Sequence, residues 1–312
     1  MQTLYKYSGD LGASFIDNPT IKLSLPSRLN DPFEKSLSAD IKKYLLGCFK
    51  NPDSESSKNI LEITEMLLNF ICIVSLSETH RNSLMWAHYA NEHAGMCLGI
   101  DSTYLEHKKS VTLPAGNDKV GIIGQHIPKK MNYDNVRFDM DGHDLIPHHE
   151  FGSVAGYQKF LFKQLSLKSD EWIYEKEHRS IVPINYADAV IIKRKGRPVF
   201  LDEFIKRNEE SGAMESLGYE RYKILANDCF KHLAAIHHTF EKDRLSFICK
   251  IPAKKIKSLY LGVNYNKENQ DKILDKLCKN NHPLKHIKIY KKEVDESRFE
   301  FNSTLIYSPD TI

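Results

Sequence analysis

Apolar positions along the chain switch between a two-residue period and helical spacing, with no regular alternation of the two. Residues 3–7 and 21–25 have the alternation of strands, and a short helix or turn over 11–16 separates them. Asn30-Asp31-Pro32 reads as a turn. Ser56 or Ser57 starts a helix that places Ile60, Ile63, Leu67 and Leu68 on one face. A short buried strand over 71–76, a helix over 82–92 and a strand over 95–100 follow. Residues 102–150 are turn-rich and carry no assignment. The spacing predicts a helix over 154–165 and strands over 181–184, 190–193 and 199–201, the last two joined by a hairpin turn at Lys195-Gly196. Residues 201–242 read as helical, with Ile224, Phe230, Leu233, Ile236 and Phe240 near helical spacing. Strands at 245–251 and 256–263, a helix over 268–278 and strands at 286–290 and 299–301 complete the chain. This order predicts an α+β fold rather than a doubly wound sheet. No linker or repeat divides it, so one domain over 1–312 is expected, with helical insertions near 38–70 and 202–242.

Composition narrows the class. Charged residues make up 27% of the 312, an ordinary balance, and no apolar run approaches the roughly 20 residues of a membrane span. The six cysteines are scattered through apolar patterns without a Cys-x-x-Cys, and no secretory leader precedes the first strand. The expectation is a cytoplasmic protein with reduced, packed thiols and no membrane contact. Net charge is +3 but unevenly spread: residues 1–100 hold nine Lys/Arg against eleven Asp/Glu, and 241–292 hold fourteen against five. That asymmetry points to a polyanion-facing surface, or to lysines that only solubilise strand edges.

Glu171 to Ser180 reads Glu-Trp-Ile-Tyr-Glu-Lys-Glu-His-Arg-Ser and runs into Ile181-Val182-Pro183-Ile184. As a strand it would put Glu175, Glu177 and Arg179 on one face, where paired carboxylates split each other's pKa and an arginine holds one ionised. Trp86, Tyr89 and His93 fall on one face of the 82–92 helix, Trp86 as a core residue and the polar tips of Tyr89 and His93 free to meet a ligand. Trp86 and Trp172 are expected to be structural. Asp31 caps the following helix or leaves Asn30 to bond a ligand amide. His148-His149-Glu150 lies in a polar loop without matched ligand spacing, so no metal site is expected.

Several of these segments resemble, in this order, the bacterial domain of unknown function 2971 family. They are Leu4-Tyr5-Lys6-Tyr7, Asn30-Asp31-Pro32-Phe33-Glu34, Trp86-Ala87-His88-Tyr89 leading to His93-Ala94-Gly95, and the Trp172 to Arg179 block. The 256–262 and 287–290 strands fit as well. The family implies no activity. The layout also looks like that of the ADP-ribosyltransferase superfamily, which implies a split, mostly antiparallel sheet with NAD in its cleft. On that resemblance Glu177 is the catalytic carboxylate, with Glu175 and Arg179 beside it. Ser24 or Ser27 takes the second-strand position, and Lys6 with Tyr7 stands where the first strand holds NAD. Asn30, Tyr89 and His93 complete the NAD site. Lys6 replaces the superfamily's His or Arg, so it would meet the donor as a point charge rather than a fork. The implied role is an NAD-dependent toxin or anti-phage defence effector, with a nucleic-acid acceptor favoured by the basic 241–292 segment. An antitoxin or defence-system partner goes with that role. The alternatives are a metal-independent nuclease using Glu175, Glu177, Arg179 and Lys6, and a non-catalytic module that binds nucleic acid or a partner.

Overall fold

β-Branched and aromatic residues place the strands, and Gly, Pro and Asn place their ends. The structure, a computed structural model, describes residues 2–47, 61–62, 64–65, 67–109, 112–115, 118–139, 154–226, 228–230, 232–233, 236, 245–279 and 281–309. Its strands are β1 (Thr3–Ser8), β2 (Thr20–Leu23), β3 (Ile71–Ser77), β4 (Met96–Asp101), β5 (Thr112–Ala115), β6 (Asp118–Ile123), β7 (Gln125–Lys130), β8 (Asn132–Asp134) and β9 (Leu167–Ser169). After these come β10 (Glu177–Pro183), β11 (Ala189–Ile192), β12 (Met214–Ser216), β13 (Arg221–Ile224), β14 (Leu245–Lys250), β15 (Ile256–Leu261), β16 (Lys288–Val294) and β17 (Phe301–Tyr307). The helices are α1 (Ala39–Gly47), α2 (Ser83–Tyr89), α3 (Val154–Gln164), α4 (Val199–Glu210) and α5 (Lys267–Leu277).

Two sheets carry the body, which has several helices and no closed barrel among the described residues. The larger has eight strands in the order β17-β16-β15-β4-β1-β3-β10-β7, and within it only β15 and β16 run parallel. The smaller has the order β12-β13-β11-β14-β2, antiparallel throughout. They part at β2. Its four residues pair with β14, and the next residue, Ser24, turns to exchange two backbone hydrogen bonds with Ile73 of β3, at 3.0 and 2.7 Å. The main core fills the angle between the sheets, with Leu23, Ile73, Val74, Ile181, Val190 and Phe247 among its members. Every residue of β10 is buried, so this strand runs through the middle of the molecule.

The opposite face of the large sheet is closed by α2. Asn82 caps that helix, its Oδ1 accepting from Leu84 N and Met85 N. Trp86 is fully buried there, its Nε1 donating to His80 O at 2.9 Å and its ring meeting Tyr7 edge-on at 5.3 Å. The helix stops at Tyr89 because Asn91, Glu92 and His93 take left-handed backbone, with φ of 47°, 51° and 69°. Gly95 follows, and a Cβ there would lie 2.2 Å from Ser8 O, so only glycine lets the turn approach β1.

Three expectations give way. Residues 199–201 are the first turn of α4 rather than a strand: Pro198 sets the helix start, Val199 and Phe200 face solvent, and Leu201 and Ile205 face the core. The Lys195-Gly196 turn therefore joins a strand to a helix, not two strands. The helical reading of 201–242 holds over α4 and again over the described residues of 228–236, Phe230, Leu233 and Ile236 among them; between these, Gly212 (φ 71°) reverses the chain into β12 and β13, and the part over 237–242 lies outside the described residues. Strands at 286–290 and 299–301 begin and end later, as Lys288–Val294 and Phe301–Tyr307. The unassigned 102–150 segment holds β5 to β8. The helix start at Ser56 or Ser57 and the His148-His149-Glu150 cluster lie outside the described residues. Cys72, Cys97, Cys229 and Cys249 are buried and Cys278 is exposed, all as free thiols. Among the described residues no helix is long and apolar enough to cross a membrane.

Trp86 links α2, β1 and the His80 turn, so its removal opens a cavity and orphans His80 O. Trp86→Ala is expected to cost about 3–5 kcal/mol in urea unfolding. A loss below about 1 kcal/mol would show that the indole is dispensable to the core.

Candidate functional site

Residues 167–179 fold into a compact frame for charge. β9 carries Lys168, a 3₁₀ turn over Asp170–Glu175 follows, and Lys176 takes left-handed backbone (φ 47°) before Glu177 opens β10. Glu175 is thus the last residue of a turn, not a strand residue. Its side chain joins the cluster through Lys168 and Tyr89, and it reaches them from the turn that Lys176 closes, not by strand alternation. Neighbouring segments pin the turn. Ser77 Oγ donates to Glu175 O at 2.7 Å, Asn82 Nδ2 to Tyr174 O at 2.7 Å, and Glu177 N to Tyr133 Oη at 2.7 Å. Glu34 enters from the 3₁₀ turn Pro32–Lys35, which Asp31 caps by accepting from Phe33 N at 2.9 Å.

Three glutamates and two cations meet in the interior. Arg179, 1% exposed, donates from Nε and Nη2 to the two oxygens of Glu177 at 2.7 and 3.2 Å, from Nη1 to Leu165 O at 2.8 Å, and pairs through Nη2 with Glu34. Lys168 Nζ lies 2.6 Å from Glu175, 3.0 Å from Glu177 and 4.0 Å from Glu34, with the Trp172 ring over it at 4.8 Å. Tyr89 Oη donates to the other oxygen of Glu175 at 2.5 Å, and the Asn30 side chain bonds the same hydroxyl. The cluster is a wall between two clefts. One, of about 220 Å³, is lined by Lys6, Ser24, Asn30, Tyr89, Glu175 and Glu177 among others. The other, of about 200 Å³, is more apolar and lined by Phe33, Leu37, Ile41 and Arg137. Glu34, Lys168 and Arg179 face both.

The surroundings push the carboxyls apart. Burial works against the Glu177 charge, but Arg179 and Lys168 overcome it and hold the group ionised, down to about 2. Burial dominates at Glu175, with Lys168 opposing it and the Glu177 charge adding to it, and the group is raised. Glu34 is raised in the same way, burial outweighing Arg179 and Lys168. Burial lowers Lys6, against the pull of Glu177. The result is one permanent anion and two carboxyls that take up protons more readily than usual, a division suited to acid–base work.

The structure gathers most of the residues marked in the sequence and leaves two outside. Glu175, Glu177 and Arg179 meet Lys6, Ser24, Asn30 and Tyr89 around one cleft, with Lys6 Nζ donating to Ser75 O at 2.9 Å. Tyr7 borders that cleft, but its hydroxyl donates to Thr79 O and its ring packs on Trp86. Ser27 sits in the turn Pro26–Arg28 and lines neither cleft. His93 falls off the helix face because α2 ends at Tyr89; its ring meets Phe301 at 5.3 Å, away from the glutamates. Trp172 is half-buried and covers Lys168. Lys168, Glu34 and Tyr133 belong to the site although the sequence did not single them out as site residues. Lys168 stands in a polar Ser166-Leu167-Lys168-Ser169 run with no local mark of burial. Among the described residues no group of His, Cys, Asp and Glu has the arrangement of a metal site.

Removing one cation leaves three carboxyls around Arg179 alone. Lys168→Met is expected to cost about 3–5 kcal/mol at pH 7, the usual effect of orphaning a buried charge. Glu177, held low, contributes stability above the ordinary carboxylate range that fades as pH falls toward about 2. Glu175 and Glu34, held high, favour the fold at low pH and lose that contribution as pH rises through their raised values. The Lys168→Met penalty should therefore shrink between pH 7 and pH 5. Urea unfolding at both pH values checks this, and an equal penalty would mean that the carboxyls do not titrate with the fold.

No curated protein and no solved structure matches the chain. Residues 85–180, which contain Tyr89, Lys168, Glu175, Glu177 and Arg179, match the family model described as Protein of unknown function (DUF2971), so the likeness to that family holds over the segment that builds most of this ion cluster.

Proposed function

We propose that the protein is an enzyme of ADP-ribosyltransferase type, with NAD as donor substrate and a toxin or antiviral defence role. One observation carries this reading: in a single cleft beside Lys6, one glutamate is held ionised and its neighbour is raised. Transfer from NAD breaks the bond between ribose C1 and the nicotinamide nitrogen, and the electron pair leaves with nicotinamide. The fixed charge of Glu177 stabilises the positive charge that develops on the sugar. Glu175 takes the proton of the acceptor as the new bond to C1 forms. Tyr89 and Lys168 orient Glu175 for that exchange. The position of Ser24, at the point where the two sheets part, supports the same reading.

A second reading, a non-catalytic binding module, is favoured by one contact pattern. Both oxygens of Glu177 are already taken by Arg179 and Lys168, which leaves the group as a structural anion.

Nicotinamide release from NAD, followed by chromatography with and without oligonucleotide, separates the two. Wild-type protein is expected to release nicotinamide, and Glu175→Gln to slow release by about 10²-fold or more while keeping the fold. Glu177→Gln should lose activity to a similar extent, but with a stability loss as well, because Arg179 then keeps Glu34 as its single carboxylate partner. No release by wild-type protein would overturn the transferase reading. Shortened oligonucleotide would then identify a nuclease, and binding without turnover a recognition module.

A further inference from the structure

We infer that the groove between the two sheets binds single-stranded nucleic acid. In the transferase reading above this names the acceptor class, although binding as such does not depend on that chemistry.

Three clefts run into one another, the first two lined by both sheets and the third by the small sheet and its flanking turns. The site cleft shares Lys6 and Lys22 with a second cleft of about 810 Å³, and the second shares Leu217, Arg221 and Ile248 with a third of about 600 Å³. A small ligand fills a pocket of about 300–1,000 Å³; a linked run of this size suits a chain. The second cleft has Lys6, Lys22 and Arg221 on its walls and no acidic side chain. In the third, Lys108 and Lys223 are balanced by Asp188 and Glu215, and Lys250 is not. Among the described residues Lys22, Arg221 and Lys250 make no ion pair. The lysines of α5 behave differently. Lys267, Lys272 and Lys276 are paired with Asp271, Glu268 and Asp17. The cations of the clefts come from four strands, Lys6 of β1, Lys22 of β2, Arg221 of β13 and Lys250 of β14.

An aromatic stands at the same place. The tip of the β12–β13 hairpin has three successive left-handed residues, Gly218, Tyr219 and Glu220, with φ of 77°, 49° and 63°. Tyr219 lines the second cleft and is 102% exposed, so its strained backbone serves no packing. Glu220 is turned away, its carboxylate accepting from Arg194 N at 2.6 Å. A tyrosine held in the open beside unpaired cations is the combination that stacks a base while the cations follow the phosphates.

The test is fluorescence anisotropy with labelled DNA and RNA single strands of about 12 nucleotides, and a duplex of the same sequence, at about 50 and 200 mM salt. It is run without NAD. Wild-type protein is expected to bind one or both single strands more tightly than the duplex. The double variant Lys22→Ala, Arg221→Ala should bind at least about tenfold more weakly and with a flatter salt dependence, since two phosphate contacts are gone. Tyr219→Ala should weaken binding about tenfold without changing the salt dependence. These side chains are solvent-facing, and circular dichroism should show each variant folded. Duplex binding as tight as single-strand binding, or an unchanged affinity in the double variant, would overturn the inference. An unchanged affinity in Tyr219→Ala would reduce the groove to a general polyanion site and overturn it equally. Failure to release nicotinamide leaves this result standing, whereas nicotinamide release with no oligonucleotide binding overturns this inference alone.

Discussion

The constraint on which the rest depends is the desolvation of charge around Arg179. Burying a guanidinium without compensation is prohibitive, and hydrophobic packing alone has no preferred direction. The Arg179 fork therefore dictates where Glu177 and Glu34 stand, and Lys168 dictates the place of Glu175. These residues come from the turn after β2, from β9, from a 3₁₀ turn and from β10. Satisfying one cluster thus fixes the relative positions of four segments that apolar contact alone would leave free to slide. A fully buried β10 is consistent with this: the strand that carries Glu177 and Arg179 is also the strand with least freedom.

The same arrangement produces unequal carboxyls without any metal-like arrangement among the described residues. Glu177 lies between both cations and stays charged, whereas Glu175 touches one cation and a neutral phenol, and burial dominates there. Glu177 is bonded closely by both cations and Glu175 by one, while Glu34, paired with Arg179, stands 4.0 Å from Lys168 and is raised as well. The parting of the sheets at Ser24 does the rest, because it brings this interior cluster to the side of an open groove.

Much of the frame was legible in the sequence, and the reasons for the exceptions are physical. β1, β3, β4, β14 and α3 follow from the runs and spacing of their apolar residues, β3 and β4 as short apolar runs buried along almost their whole length. At Val199 and Phe200 apolar residues face solvent, so the pattern suggested a strand where Pro198 begins a helix. Glycines at 212 and 218 cut what looked like a long helix, and their left-handed backbone outweighed the spacing around them. In the site, the Glu-x-Glu-x-Arg block stood out by composition. Lys168 did not, because a buried lysine is recognisable only once its carboxylates are in place. His93 leaves the helix face because three left-handed residues, Asn91 to His93, follow Tyr89, and nothing in the local spacing marks that stop. The blockwise charge count pointed at 241–292, while the groove cations are scattered from Lys6 to Lys250 and meet only through sheet pairing.

The span of the cluster has a consequence for synthesis. Its hydrogen bonds join residues far apart in the chain, with Lys6 to Ser75, Ser77 to Glu175 and Tyr89 to Glu175 separated by 69, 98 and 86 positions. Only β10 carries both signs of the cluster's charge, in Glu177 and Arg179. On the ribosome, a growing chain carries Glu34 without its counter-charge until Arg179 has left the exit tunnel. A ribosome that stalls before that point releases a fragment with no assembled cleft. Whatever chemistry the cluster performs is silent until β10 has emerged and the last of these charges has met its partners.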